Sequence, residues 1–75
     1  MTEAVAAWRR KAVDLLARRE YSRAELARKL AGREADIDHA ALDTVLDELA
    51  ACGWQSDARF AQMWIQAHAA RHGAQ

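Results

Sequence analysis

Proline is absent from the 75 residues, and glycine occurs only three times, at Gly32, Gly53 and Gly73. With so little to punctuate it, the chain has no means to build a turn-rich fold and favours helices that break at those glycines. Cysteine occurs once, at Cys52, so no internal disulfide can form; a reducing cytoplasm is the expected compartment. No apolar run exceeds a few residues, which is too short for a membrane-spanning helix. Arg9-Arg10 superficially suggests a twin-arginine export signal, but Asp14 and Arg18 interrupt the apolar stretch that would have to follow.

Net charge is lacking too, since 11 Lys/Arg offset 11 Asp/Glu. That argues against strong non-specific nucleic-acid binding by the chain as a whole. The balance conceals an asymmetry. Residues 1–33 hold nine Lys/Arg against four Asp/Glu, a net of +5, and residues 34–75 hold two against seven, a net of −5. Two readings stay open. The halves are complementary faces that attract each other within the fold, or the first half offers a basic patch to an acidic partner or nucleic acid.

What is present is apolar periodicity. Just over half of the residues, 52%, are hydrophobic, enough for one small core. So short a domain buries roughly 60% of its unfolded surface, and its margin is about 3–5 kcal/mol. A first helix is expected over about 3–19, where Val5, Trp8, Ala12, Leu15 and Leu16 recur at three- and four-residue steps. A second, over 23–31, opens with a capping box: the Ser22 hydroxyl meets the amide of Glu25, whose carboxylate returns to the Ser22 amide. Tyr21 and Leu26 stand at the positions of a hydrophobic staple, Leu30 also points inward, and Gly32 can supply a left-handed stop. After a connector over 33–37, Asp38 caps a third helix over 39–52, again with a staple from Ile37 to Leu42. Its inner stripe is Leu42, Val45, Leu46 and Leu49; Asp43, Asp47 and Glu48 form a solvated acidic face. Gly53 and Trp54 read as a Schellman stop.

Ser56 caps a fourth helix over 57–72, with Asp57 favourably placed in its first turn. Phe60, Trp64 and Ala67 make one apolar stripe of this helix, and Ala58, Ala61 and Ile65 another. A helix apolar nearly all round expects burial on two sides. The three preceding helices are expected to cover one stripe and a partner the other, as a weak two-fold homodimer through the fourth helix. The fold class is therefore all-α, a three-helix unit followed by a fourth helix in a single domain, residues 1–75.

Catalytic chemistry finds no foothold. The sequence has no glycine-rich phosphate loop and no carboxylate pair with a pocket, so no enzyme activity and no cofactor are expected. His68 and His72 share a helix face at a metal-ligating spacing, but no third ligand stands nearby in sequence, and no metal site is expected. Cys52 lies near a helix C-terminus, away from the positive helix end that activates a thiol, so it is not read as a nucleophile. The second and third helices could mimic a helix-turn-helix, but the reading helix would then carry Asp43, Asp47 and Glu48, which phosphates repel. One contact surface remains: a basic edge of Arg9, Arg10, Lys11, Arg18 and Arg19 on the first helix, Arg23, Arg28 and Lys29 on the second, and Arg33 beyond it.

Two stretches carry a family resemblance. The first is Leu15-Leu16-Ala17-Arg18-Arg19-Glu20-Tyr21-Ser22-Arg23-Ala24-Glu25-Leu26-Ala27-Arg28-Lys29-Leu30. The second is Gly53-Trp54-Gln55-Ser56-Asp57-Ala58-Arg59-Phe60-Ala61, preceded by the helix of Val45, Leu46 and Leu49. Together, in this order and spacing, they resemble the opening of RecX-family proteins, where R-x-[YH]-S-x-x-E-L-x-x-K-L is followed by L-x-x-x-G-[YLW]-x-x-D-x-R-F-A. Tyr21, Ser22, Glu25, Leu26, Lys29 and Leu30 match the first block; Gly53, Trp54, Asp57, Arg59, Phe60 and Ala61 match the second. Gln55 departs from a usual aliphatic residue, and Ser56 from a frequent acid, though it remains a good cap.

The resemblance implies tandem three-helix repeats that lie in the groove of the RecA–DNA filament and modulate its recombinase and coprotease activities in recombination, repair and the SOS response. The family continues with a G-[YF]-G-P-x-x-I turn and two further repeats. The chain, stopping at Gln75, is expected to be one repeat plus the first helix of the next, as a fragment or a truncated form. The resemblance therefore implies a regulatory binding module with the RecA filament as partner and single-stranded DNA as a second candidate. Two alternatives stand beside it: a self-associating helical interaction domain with no recombination role, and a small DNA-binding domain.

Overall fold

The structure, a computed structural model, describes residues 3–33 and 36–73, with side chains as far as residue 69. The described residues are all-α and contain no strand. Four helices follow in order: α1 (Glu3–Arg18), α2 (Arg23–Ala31), α3 (His39–Ala51) and α4 (Asp57–Gly73). The first three pack mutually, whereas α4 runs along none of them and leaves the bundle, so the molecule measures 50 × 26 × 18 Å.

The core forms where the apolar stripes of three short helices converge. Ala12 of α1, Tyr21 of the α1–α2 turn, Leu26 and Leu30 of α2, and Leu42, Val45, Leu46 and Leu49 of α3 are buried. Val5, Trp8, Leu15, Leu16 and Ile37 pack half-buried around them. Helices of 9 to 16 residues are marginal alone, so this shared core holds them. Its most deeply buried side chains, Leu26, Leu46 and Val45, each contribute about 1.5–3 kcal/mol on burial.

Local chemistry sets the helix ends. Ser22 Oγ accepts from the Glu25 amide at 3.1 Å, and the Ser22 amide donates to Glu25 Oε1 at 3.4 Å, closing the capping box. Asp38 Oδ1 accepts from the Ala41 amide at 3.1 Å, and Ser56 Oγ from the Arg59 amide at 3.2 Å. Each cap satisfies an amide that has no partner within its own helix. At the end of α3, the Gly53 amide donates to Ala50 O (3.1 Å) and the Trp54 amide to Leu49 O (2.9 Å), a complete Schellman motif. Its left-handed position falls on Gly53, with φ 81°. Gly32 also has a positive φ, 63°, but its ψ of −139° takes the chain out of α2 by a route other than the left-handed helical one.

The fourth helix departs from expectation. One of its apolar stripes was to lie on the bundle, yet Trp64 is 51% and Ile65 59% exposed, and of its apolar side chains among the described residues only Phe60 and Met63, near its start, are half-buried. The reason is direction: the Schellman turn and the Ser56 cap launch α4 away from the core, so neither stripe is covered. Trp64 is instead shielded on one face by its own helix. The His68 ring stacks on it at 3.6 Å between centroids, with His68 Nδ1 2.9 Å from Trp64 O. No helix of the described residues is long and apolar enough to cross a membrane.

Candidate functional site

The structure sorts the nine cations of the basic edge into two sets. Four are engaged by acids of the same molecule. Arg9 of α1 pairs with Glu48 of α3. Arg23 of α2 reaches Asp47 at 2.8 Å and Asp43 at 3.9 Å, both on α3. Arg18 meets Asp14 one turn back at 3.2 Å, and Arg19 meets Glu25 at 3.3 Å while its guanidinium lies 3.8 Å over the Tyr21 ring. The acidic face of α3 is therefore not merely solvated: it attracts the basic first half of the chain, and the charge asymmetry is partly spent inside the fold. These pairs are substantially exposed, so each contributes about 0–1 kcal/mol.

Glu25 is the hub of the first turn of α2. Burial works to raise its pKa, but the Arg19 hydrogen bond, the Ser22 amide and the charges of Arg19 and Arg28 outweigh that and hold it below the ordinary glutamate value. The same hydrogen bond holds the Arg19 pKa above its ordinary value.

The second set gathers at the other end of α2. Lys11 Nζ donates to Lys29 O at 3.0 Å, satisfying a carbonyl of the last turn and bringing two ammonium-bearing residues to one corner. Arg28 lies in the same turn and Arg33 just beyond. Among the described residues Lys11, Arg28, Lys29 and Arg33 form no ion pair, nor does Arg10 on α1. Positive charge near a helix C-terminus suits the dipole.

The family-motif residues occupy a different place. Tyr21, Ser22, Glu25, Leu26 and Leu30 build the cap and core of α2, and Gly53 and Trp54 stop α3. Lys29 belongs to the basic corner, and Asp57 and Arg59 join the α1–α2 turn to the α3–α4 turn. Arg59 Nε donates to Glu20 Oε2 at 3.1 Å, and its Nη2 to Gly53 O at 2.6 Å and Trp54 O at 3.1 Å. Asp57 Oδ1 accepts from the Arg23 amide at 2.8 Å, so the acid in the first turn of α4 also serves the first turn of α2. Gln55 is only 4% exposed, and its Nε2 donates to Tyr21 O at 3.3 Å and Asp57 Oδ1 at 2.9 Å. Phe60 is half-buried and Ala61 exposed on α4. Sequence reasoning missed Gln55 and Glu20 as members of this cluster. A signal existed for Gln55: a polar residue where the resemblance leads one to expect an aliphatic one.

Among the described residues no group of three or more His, Cys, Asp or Glu could hold a metal ion. The side chain of His72, half of the pair weighed as a metal site, lies outside the described residues. Cys52 is free and exposed.

The comparisons with known proteins agree with this architecture. The model of the RecX first three-helix domain matches residues 9–49, from the middle of α1 to near the end of α3. The regulatory protein RecX of Chromobacterium violaceum is 45% identical over 64 residues, covering 85% of this chain and 41% of that protein. That of Neisseria meningitidis serogroup C is 41% identical over 66 residues, covering 88% and 42%. That of Chromohalobacter salexigens is 48% identical over 60 residues, covering 80% and 38%. The chain thus spans about two fifths of the length of these relatives. No solved structure matches it. With the three-helix unit, its motif-bearing turns and these likenesses together, the chain belongs to the RecX family of regulatory proteins.

Proposed function

We propose that the chain is a non-enzymatic, cytoplasmic binding module that modulates the RecA recombinase on DNA filaments, acting as a first RecX repeat with the start of a second. One observation carries the reading: a RecX three-helix domain whose fold engages Arg9, Arg18, Arg19 and Arg23 internally while Lys11, Arg28, Lys29 and Arg33, on and just after the last turn of α2 and beside it on α1, form no ion pair among the described residues. Single-stranded DNA in such a filament carries phosphates, which a corner of this kind would hold. Contact of this kind is electrostatic and weakens with salt.

The test is RecA ATPase on single-stranded DNA at low salt, titrated with the purified chain. A salt-sensitive change is expected. It should disappear in the Arg28→Glu/Lys29→Glu/Arg33→Glu variant, whose helicity should persist because exposed charges contribute little to stability, about 0–1 kcal/mol each. A flat response from the folded chain would overturn the regulatory reading. An undiminished response from the folded triple variant would move the contact elsewhere on the basic edge.

A second reading, self-association through α4, is favoured by the exposure of Trp64 and Ile65, 51% and 59%. An uncovered apolar stripe tends to find a partner, and a two-fold pairing of α4 helices is the simplest closed arrangement. Burying each such side chain contributes about 1.5–3 kcal/mol, before the loss of translational and rotational freedom, which fits a micromolar dimer. Sedimentation equilibrium at about 100 μM, roughly a hundredfold above such a constant, should show it, and Ile65→Glu should return it to monomer. A single 8.4 kDa species throughout would remove this reading.

A further inference from the structure

A helix held to a bundle by packing takes its direction from interlocked side chains. Nothing of that kind directs α4. It lies along no other helix, Trp64 and Ile65 are more than half exposed, and of its apolar side chains among the described residues only Phe60 and Met63, near its base, are half-buried. Its 17 residues nevertheless leave the bundle in one direction.

Polar contacts between two turns far apart in sequence are what meets its base. From the α3–α4 side come Gln55, Asp57 and Arg59; from the α1–α2 side come Glu20, the Tyr21 carbonyl and the Arg23 amide. The contacts lie on several bearings. Arg59 grips the Glu20 carboxylate while the same guanidinium holds the Gly53 and Trp54 carbonyls of its own turn. Asp57 places one carboxylate oxygen on the α2 amide and receives Gln55 as well. Gln55 is the sole buried polar residue among those described and ties the two turns from within. One such bond is a pivot; three, spread over two turns, define an angle.

We propose that these two turns form a polar joint which fixes the direction that the Schellman turn and the Ser56 cap give α4, making the helix a lever whose angle is held chiefly by Glu20, Gln55, Asp57 and Arg59 rather than by an extended apolar interface. Such a joint differs from packing in how it yields. Apolar interfaces repack between discrete arrangements, whereas the exposed Arg59–Glu20 and Asp57–Arg23 bonds can exchange with water at a small net free-energy difference, leaving the buried Gln55 tie as the pivot. A partner that takes up the apolar stripes of α4 can therefore reorient the helix without disturbing the core of α1–α3. The inference is independent of what the basic corner binds.

Double electron–electron resonance tests it on the whole chain. Spin labels are placed at Ala7→Cys on α1 and Ala69→Cys on α4, both exposed, in a Cys52→Ser background. One narrow distance distribution is expected with the joint intact. Asp57→Ala/Arg59→Ala should broaden it and remove its single maximum, while circular dichroism and the melting of the bundle change little. Gln55→Leu, which keeps a buried side chain but removes both of its bonds, should broaden it less. Asp57→Asn, which keeps an acceptor for the Arg23 amide, should stay closest to the unaltered chain, and Gln55→Leu serves as the breaking variant if the double variant folds poorly. A broad distribution in the unaltered chain would overturn the proposal, because the joint would then set no direction. An equally narrow distribution in the folded Asp57→Ala/Arg59→Ala and Gln55→Leu variants would overturn it as well, because something else would be holding the helix.

Discussion

Replacing Ser22 with alanine removes one oxygen and leaves the backbone of the α1–α2 turn free to keep its path. The Glu25 amide then loses its acceptor at 3.1 Å, and the return bond from the Ser22 amide to Glu25 Oε1 loses the geometry that supports it. Loss of an N-cap of this type typically destabilises by about 0.5–2 kcal/mol. The upper half of that range is expected here, because Ser22 and Glu25 are half-buried and water reaches the freed amide poorly. α2 has nine residues and cannot persist without its cap and its packing together. Set against a margin of about 3–5 kcal/mol, a loss of about 1.5 kcal/mol raises the unfolded fraction roughly tenfold. In a domain of this size each 1 kcal/mol moves the melting temperature by roughly 4–8 °C, so a drop of about 6–12 °C is expected by circular dichroism at 222 nm. Ser22→Gly should lose only a few tenths of a kcal/mol, and Ser22→Thr should retain the cap. An alanine variant that melts with the unaltered chain, or a glycine variant as weak as the alanine one, would refute the capping argument and place the start of α2 elsewhere.

Two further outcomes follow from the same region and from the end of α3. Glu25 has a folded-state pKa below its unfolded value, so its stabilising contribution is present above the unfolded pKa and lost as pH falls through the folded one; acid titration of the melting temperature should be shallower in Glu25→Gln than in the unaltered chain, and identical slopes would remove that role. Gly53→Ala meets no atom within 4 Å, so its effect comes from the backbone alone at φ 81°; a loss of about 1–2 kcal/mol in chemical denaturation is expected, and a neutral substitution would show that the Schellman turn tolerates a side chain.

Short-range chemistry was readable in advance because its partners lie within a few residues. Ser22 with Glu25, Asp38 before α3, Ser56 before α4 and Gly53 after α3 each act on the adjacent turn, so residue type and spacing suffice to place them. The inner stripes of Leu26 and Leu30, and of Leu42, Val45, Leu46 and Leu49, were equally plain, because a helix of known phase presents its apolar residues to one side. Charge was half readable. The count showed two opposed halves, but not that Arg23 would meet Asp43 and Asp47, or Arg9 would meet Glu48, since those pairs depend on how α1 and α2 lie against α3.

The amino-acid sequence by itself determined that the chain is all-α, which residues cap its helices, which apolar residues of α2 and α3 face the core and which family it resembles, because each follows from local periodicity, capping chemistry or motif order. Only the tertiary structure decided which cations remain outside internal ion pairs, that Gln55 is a buried tie rather than a surface departure, and that α4 stands away from the bundle with both apolar stripes open. Those facts turn on the relative placement of turns some 34 to 39 residues apart, and a helix turn carries no local signal of what a distant turn will bring against it.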